Sequence, residues 1–208
     1  MLSASVLLTF SGVTISAETL TVCAGGCDYT SINDAINASV NGDVIQLAAE
    51  TYFEGAVIDT AGKTITLQGA TDKGGNATSI LDGGGTHRVL ACRSGETSET
   101  VFENLVITRG RAEHGAGMFI DSSSPTLGNC VFLENSADLC CQGGSWGQGG
   151  GMFCSFGSPI LIGCRFERNS TLRFGAGMFC SSSNVRLDDC MFRMNSAGGE
   201  AGIGGFGG

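Results

Sequence analysis

The amino-acid sequence predicts an all-β fold, in which short strands stack on one another as the successive coils of a parallel β-helix. The composition gives the first indication, because 34 of the 208 residues are glycine and only 15% are charged. A chain so poor in long charged side chains and so rich in turn residues disfavours a bundle of helices. The second indication is an internal repeat without helical periodicity, which is typical of a solenoid.

The repeat occurs three times, in residues 115–137, 149–171 and 175–197, with inserts at 138–148 and 172–174 between the copies. Each copy is too short for two packed helices and fits two or three short strands joined by turns. Stacked phenylalanine and leucine columns are expected to fill the interior, and an asparagine column to form a ladder of side-chain amides. The main columns are Met118/Met152/Met178, Phe119/Phe153/Phe179, Leu127/Leu161/Leu187, Cys130/Cys164/Cys190, Phe132/Phe166/Phe192 and Asn135/Asn169/Asn195.

The N-terminal residues indicate export. Residues 1–17 are mostly apolar, almost free of charge, and end in Ser16 and Ala17, which predicts a signal peptide cleaved before Glu18. The alternative interpretation is a buried first strand. No later stretch has the roughly 18 consecutive apolar residues of a transmembrane helix, so none is predicted.

Residues 18–41 are predicted to cap the first coil. Ile32, Ala35, Ile36 and Val40 are spaced three or four residues apart, as on the apolar face of a short amphipathic helix. Such a helix would cover the strand edges that the first coil exposes.

Residues 42–197 are predicted to form the coils, although their first half is less regular than the repeats. Segment 102–110 matches the end of a repeat, which places Ile107 in the column of Phe132. Residues 198–208 are rich in glycine and resemble the start of a further coil, which indicates that these coils continue in a longer protein. The short β-type runs of the first half are residues 44–47, 56–58, 63–67, 79–82, 88–90 and 101–108.

The net charge of −9 excludes nucleic acid as a natural partner, because phosphate binding needs clustered lysine and arginine side chains. An acidic chain can still hold cations. The charge also works against binding polyanions unless Ca²⁺ bridges them.

The ten cysteines favour an oxidising compartment. Cys23 and Cys27 flank a short turn, which predicts a local disulfide. Cys154 and Cys180 share a column one coil apart, near the Cα separation of a disulfide, so we consider a second bridge there. The column headed by Cys130 is expected to hold buried free thiols. The spacings lack the paired CxxC pattern of zinc sites, and no metal site is predicted.

Two stretches carry a family resemblance. DYTSINDAINASVNGDVIQLAAETYFEGAVI, within residues 28–70, resembles the entry segment of pectinesterases and their relatives. The repeats GAGM…FLEN, GGGM…FERN and GAGM…FRMN resemble the GGxI and FxxN repeats of polymorphic outer membrane proteins. Over residues 22–197 the chain thus resembles the right-handed parallel β-helix, or pectin-lyase-like, superfamily. The resemblance implies right-handed coils, but no single activity, because the superfamily includes lyases, hydrolases, esterases and adhesins.

The resemblance suggests three candidate catalytic residues, Glu54, Arg186 and Asp188. Residues 51–54 resemble the GxYxE start of pectinesterases, whose later motifs are absent from this sequence. A polygalacturonase-like site would use the pair Asp188 and Asp189. A pectate-lyase-like site would use Arg186 as a base beside carboxylates that bind Ca²⁺, the one cofactor this alternative implies. No complete catalytic set of these enzymes is present in the sequence.

The insert 138–148 contains the only tryptophan, Trp146, together with Gln142 and Gln148. Inserts bulge from a corner of a β-helix, where loops build binding grooves, so these side chains are expected to bind a sugar ring. An alternative is that Trp146 packs back on the wall of the coils. The sequence thus predicts a secreted or cell-surface module for adhesion or glycan binding, with a polysaccharide or a cell-surface glycan or protein as partner. A polysaccharide-active enzyme is the alternative.

Overall fold

The computed structural model of the chain describes residues 17–139 and 147–198. These residues form an all-β fold of four parallel sheets with one short helix. The expected signal peptide lies outside the described residues except for Ala17, and so does the expected further coil except for Gly198.

The strands, numbered along the chain, are hydrogen-bonded to their neighbours within each sheet in the following order. The seven-stranded sheet contains β1 (Thr19–Val22), β2 (Val44–Leu47), β5 (Thr66–Gln68), β8 (Val101–Glu103), β11 (Thr126–Gly128), β15 (Ile160–Ile162) and β19 (Arg186–Asp188). The six-stranded sheet contains β3 (Thr51–Tyr52), β6 (Ser79–Asp82), β9 (Leu105–Thr108), β12 (Val131–Leu133), β16 (Arg165–Glu167) and β20 (Met191–Arg193). The five-stranded sheet contains β4 (Ile58–Asp59), β7 (Leu90–Cys92), β10 (Met118–Asp121), β14 (Met152–Ser155) and β18 (Met178–Ser181). The three-stranded sheet contains β13 (Ser136–Ala137), β17 (Ser170–Thr171) and β21 (Ser196–Ala197).

The repeats pair in register, so identical residues lie opposite one another on neighbouring strands. Met152 pairs with both Met118 and Met178. Ile107 pairs with Phe132, as the match of segment 102–110 to the repeat predicted. The columns read from the sequence therefore correspond to the registers of the sheets.

The interior is filled by apolar columns. The rings of Phe132, Phe166 and Phe192 stack almost parallel, with centroids 4.6 and 4.7 Å apart. Leu127 and Leu161 are fully buried beside them. The prediction that phenylalanine and leucine columns fill the interior is confirmed for these positions.

The predicted asparagine ladder is present at the turn after the six-stranded sheet. The Asn135 amide nitrogen donates to Asn169 Oδ1 at 3.0 Å, and the Asn169 amide nitrogen donates to Asn195 Oδ1 at 3.0 Å. Asn135 and Asn169 are fully buried. Each amide also bonds to the backbone, so the ladder satisfies polar groups that water does not reach.

The predicted helix is α1 (Ile32–Ala38), which begins after Ser31, whose hydroxyl accepts a hydrogen bond from Asp34 N–H at 3.2 Å. Ile32, Ala35 and Ile36 are buried against the first strands, as their spacing predicted. Val40 lies beyond the helix end and is 41% exposed, so its assignment to the apolar face is wrong.

One carboxylate is buried in a turn between the seven- and five-stranded sheets. Glu96 is 2% exposed and accepts hydrogen bonds from the Thr60 and Ser123 hydroxyls and from the N–H groups of Gly62 and Ser94, at 2.8 to 3.0 Å. Burial alone would raise the pKa of Glu96, but these hydrogen bonds outweigh it, so the pKa lies below its ordinary value.

Candidate functional site

Glu54, the first predicted catalytic residue, contacts the beginning of α1. Its carboxylate accepts hydrogen bonds from the Ser31 hydroxyl at 2.7 Å, from Ile32 N–H at 2.8 Å and from Asn33 N–H at 3.1 Å. The first N–H groups of a helix have no partner within the helix, so Glu54 supplies one. In the structure Glu54 is a helix cap, and its catalytic role stays a prediction.

Lys63 contacts the opposite end of the same helix. Its ammonium group donates to the carbonyl oxygens of Asn37 at 3.1 Å and Ser39 at 2.8 Å, and to that of Ile36. A negative charge at the N-terminus of a helix and a positive charge at its C-terminus both interact favourably with the helix dipole. Glu54 and Lys63 therefore fix α1 against the strands beneath it.

Arg186 and Asp188, the other predicted catalytic residues, share one face of the outermost strand β19. The Arg186 guanidinium lies 3.4 Å from Asp188 Oδ2, and the two side chains are 69% and 56% exposed. Glu54 follows β3, at the opposite end of the stack. The structure thus brings Arg186 and Asp188 together but keeps both far from Glu54.

Of the predicted sugar-binding residues, Trp146 and Gln142 lie outside the described part of the chain, whereas Gln148 is described and half-buried. Gln148 forms parallel bridges with His114 on one side and Phe174 on the other. The last residue of the insert therefore lies in the stack, in a row with His114 and Phe174.

A second phenylalanine column faces outward from the five-stranded sheet. Met118 and Ile120 are fully buried, so Phe119 between them points to the outer face. The rings of Phe119 and Phe153 have centroids 5.3 Å apart, and those of Phe153 and Phe179 are 5.6 Å apart. The expectation that phenylalanine columns fill the interior is wrong for this column, because neighbouring residues of a strand cannot share a face.

Two further rings join this column from the adjacent row. The His114 ring stacks on Phe153 with centroids 5.2 Å apart, and Phe174 lies 6.4 Å from Phe179. All five rings are half-buried. We call Phe119, Phe153, Phe179, His114 and Phe174 the aromatic patch.

Polar groups border the aromatic patch. The Arg88 guanidinium lies 4.5 Å from the Phe119 centroid, in the range of a cation–π contact. It donates to the carbonyl oxygens of Gly115 at 3.0 Å and His114 at 2.7 Å, which ties it to the neighbouring segment. Burial lowers the pKa of Arg88. Arg88 and Gln148 thus place polar side chains beside the rings.

His114 is held mainly by its ring contact. Its Nε2 lies 3.6 Å from Glu113 Oε1, whereas its buried Nδ1 has no hydrogen-bond partner among the described residues. A buried polar atom without a partner costs about 1–3 kcal/mol.

Most of the described cysteines are free thiols. The predicted disulfide Cys23–Cys27 is present, with Cα atoms 5.6 Å apart. Cys154 and Cys180 are free thiols, so the disulfide bridge that we considered between them is wrong. Cys154 Sγ instead contacts Ser183 Oγ at 3.4 Å. The predicted buried free thiols of the remaining column are confirmed at Cys130 and Cys164, whereas Cys190 is a free thiol that is only half-buried.

Within residues 17–139 and 147–198, no three His, Cys, Asp or Glu side chains are grouped so as to hold a metal ion. No helix in these ranges has the length and apolar character to cross a membrane. Comparisons of the chain with protein-family models, with curated proteins and with solved structures gave no match.

Proposed function

We propose that this chain is a secreted or cell-surface module that binds a glycan on the aromatic patch. The observation that carries the proposal is the contiguous group of rings on the outer face of the five-stranded sheet. Exposed apolar patches with a polar border mark interaction sites in proteins.

A sugar ring suits this surface because it combines apolar C–H groups with a rim of hydroxyls. The C–H groups would pack on the outward edges of the stacked rings, and the hydroxyls would bond to bordering side chains such as Arg88 and Gln148. The segment that carries Trp146 and Gln142 rejoins the described chain at Gly147, next to Gln148. The contribution of Trp146 and Gln142 to sugar binding stays a prediction.

We propose in addition that the sheets wind as a right-handed parallel β-helix with α1 as its N-terminal cap. Along one repeat the chain passes through the seven-stranded, six-stranded, three-stranded and five-stranded sheets before it returns to the first. Crossovers between parallel strands of one sheet are right-handed in about 98% of cases. The resemblance to the pectin-lyase-like superfamily supports the same description.

Export to an oxidising compartment fits this function. The apolar residues 1–17 and the disulfide Cys23–Cys27 both support it. A glycan-binding module acts where polysaccharides and cell-surface glycans are found.

The polysaccharide-active enzyme remains the alternative and takes second place. Glu54 is occupied as a helix cap, and Arg186 with Asp188 lies at the other end of the stack. A hydrolase or lyase needs its acid, base and stabilising groups around one bond.

The proposal is tested by applying the full chain to an array of neutral and acidic oligosaccharides. We expect retention of at least one glycan, and a loss of affinity of about tenfold or more for Phe153→Ala, which removes the central ring. Ile162→Thr is the matched control, because Ile162 is an exposed apolar residue of the seven-stranded sheet. Circular dichroism and thermal unfolding verify that each variant is folded.

Retention of no glycan by the folded wild type would overturn the proposal, and so would unchanged binding by folded Phe153→Ala. The same samples, incubated with polysaccharides with and without Ca²⁺, are analysed for cleaved product. Turnover that depends on Ca²⁺ would favour the enzyme instead.

A further inference from the structure

We infer that residues 202–206 of this chain add a strand to the five-stranded sheet, paired in register with β18, at the C-terminal end of the stack. The basis is an apolar surface on the last described coil, together with a repeat motif in the residues that follow it. This pairing does not require the proposed glycan site.

The C-terminal end of the stack exposes side chains of columns that the earlier coils bury. Leu127 and Leu161 are fully buried, whereas Leu187 in the same column is 46% exposed. Met178 and Phe192 are half-buried, although their counterparts one coil earlier are fully buried. In the described part of the chain, no strand lies beyond β18, β19, β20 and β21 in their sheets. A contiguous apolar surface at such an end marks an interaction site.

The backbone pattern of the stack shows which group a further strand would pair. Met118 N–H donates to Gly151 O at 2.9 Å, and Met152 N–H donates to Gly177 O at 3.0 Å. Each coil thus donates to the coil that follows it along the chain. Met178 N–H occupies the same position in the last described coil, so the next strand would supply its acceptor.

Residues 202–206 carry the motif with which every repeat begins. The repeats open with GAGMF, GGGMF and GAGMF, and residues 202–206 are GIGGF. Gly202, Gly204 and Phe206 match the first, third and fifth positions of that motif. In-register pairing therefore places Gly204 beside Gly177 and Phe206 beside Phe179.

The first glycine of the motif is required by the backbone. Its φ is 55, 65 and 61° in the three repeats, at Gly115, Gly149 and Gly175. L side chains rarely adopt this conformation. A Cβ at these positions would also lie within 2.4 Å of the carbonyl oxygen three residues further on. Gly202 supplies the residue that the same turn needs in a further coil.

Phe206 would be the next ring of the outward phenylalanine column, in which centroids follow one another at 5.3 and 5.6 Å. Gly205 departs from the motif, because the matching residue in each repeat is an inward methionine. Backbone pairing and the Phe206 ring, rather than an interior side chain at residue 205, would therefore hold the strand.

A segment of the same chain is favoured over a second copy as the occupant. Residues 202–206 follow β21 after only four residues, so their effective concentration at this surface is roughly millimolar or higher. A second copy related by a twofold axis would present its outermost strand antiparallel, whereas every described pair of the five-stranded sheet is parallel.

The test is amide hydrogen exchange, followed by NMR on the ¹⁵N-labelled full chain. We expect Met178 N–H to exchange slowly in the wild type, within about tenfold of Met152 N–H, its counterpart one coil earlier. Gly202→Val should accelerate exchange at Met178 by about tenfold or more and leave Met152 unchanged, because valine does not adopt the positive φ. Gly199→Val is the matched control, since Gly199 lies outside the motif.

Exchange of Met178 N–H at the rate of an unstructured amide in the wild type would overturn the inference. The same holds if Gly202→Val leaves the rate unchanged, or if Gly199→Val accelerates it equally. Protection of Met178 that disappears on dilution, together with a dimer detected by light scattering, would identify a second copy as the occupant and overturn it as well.

Discussion

Asn169→Ala tests the central unit of the asparagine ladder. The side chain of Asn169 is fully buried and makes four hydrogen bonds. Its Oδ1 accepts from the backbone N–H and the amide of Asn135, both at 3.0 Å. Its Nδ2 donates to Phe132 O at 2.9 Å and to Asn195 Oδ1 at 3.0 Å.

The expected loss of stability follows from these bonds. Each contributes about 1 kcal/mol net, and a buried partner left without a bond costs about 1–3 kcal/mol. We expect Asn169→Ala to lower the free energy of unfolding by about 4 kcal/mol, a large part of the roughly 5–15 kcal/mol that stabilises a domain. Asn195 is half-buried in the last unit, where water can replace the lost bonds, so Asn195→Ala should cost about 1–2 kcal/mol.

The assay is equilibrium unfolding in urea followed by circular dichroism, with both variants measured beside the wild type. The slope of the free energy against urea concentration should stay the same, so that the midpoint reports stability alone. A loss of unfolding free energy below about 1 kcal/mol for Asn169→Ala, or equal losses for the two variants, would refute the reasoning. Its premise is that burial determines how much each asparagine of the ladder contributes to stability.

Three further outcomes are expected. Glu54→Gln should lower the free energy of unfolding by about 1 kcal/mol, because it removes the charge from the α1 cap; a loss of stability below about 0.3 kcal/mol in urea titrations would contradict this. Because the pKa of Glu96 is lowered on folding, its contribution is complete above the ordinary pKa of about 4.3 and is lost as pH falls through the folded value. Glu96→Gln should therefore flatten the stability loss in acid, and an unchanged pH profile would count against the assignment. Iodoacetamide should label exposed Cys180 on the native chain before buried Cys164, and peptide mass spectrometry measures both labelling rates. Equal rates would show that the buried cysteine column headed by Cys130 is accessible to the reagent.

The interior columns and the asparagine ladder could be predicted because the alignment of the three repeats gives the strand register directly. Once Phe132 aligns with Phe166, and Asn135 with Asn169, parallel pairing in register places each residue on its counterpart. The local disulfide Cys23–Cys27 and the helix α1 could be predicted because both depend on residues close together in the sequence.

The candidate site could not be predicted in the same way. Met118 and Phe119 are both apolar neighbours on one strand, and the sequence does not say which of them faces inward. The structure answers this question: Ile120 is buried like Met118, and because side chains two apart on a strand share a face, Phe119 between them points outward. Glu54 lies in an unrepeated stretch with no second copy to align, so its contact with the residues after Ser31 is not readable from spacing.

The two inserts bear on how this chain could be re-engineered. Inserts 138–148 and 172–174 follow β13 and β17 at the same corner of the stack, yet differ in length by several residues. Despite this, Met152 and Met178 pair in register after the inserts. The length of the loop at this corner therefore does not affect the strand register. Each doubling of the loop length lowers the free energy of unfolding by only about 0.6 kcal/mol, through the entropy of closing the loop. Foreign peptides grafted there would be displayed beside an array of rings, on a scaffold that tolerates their length.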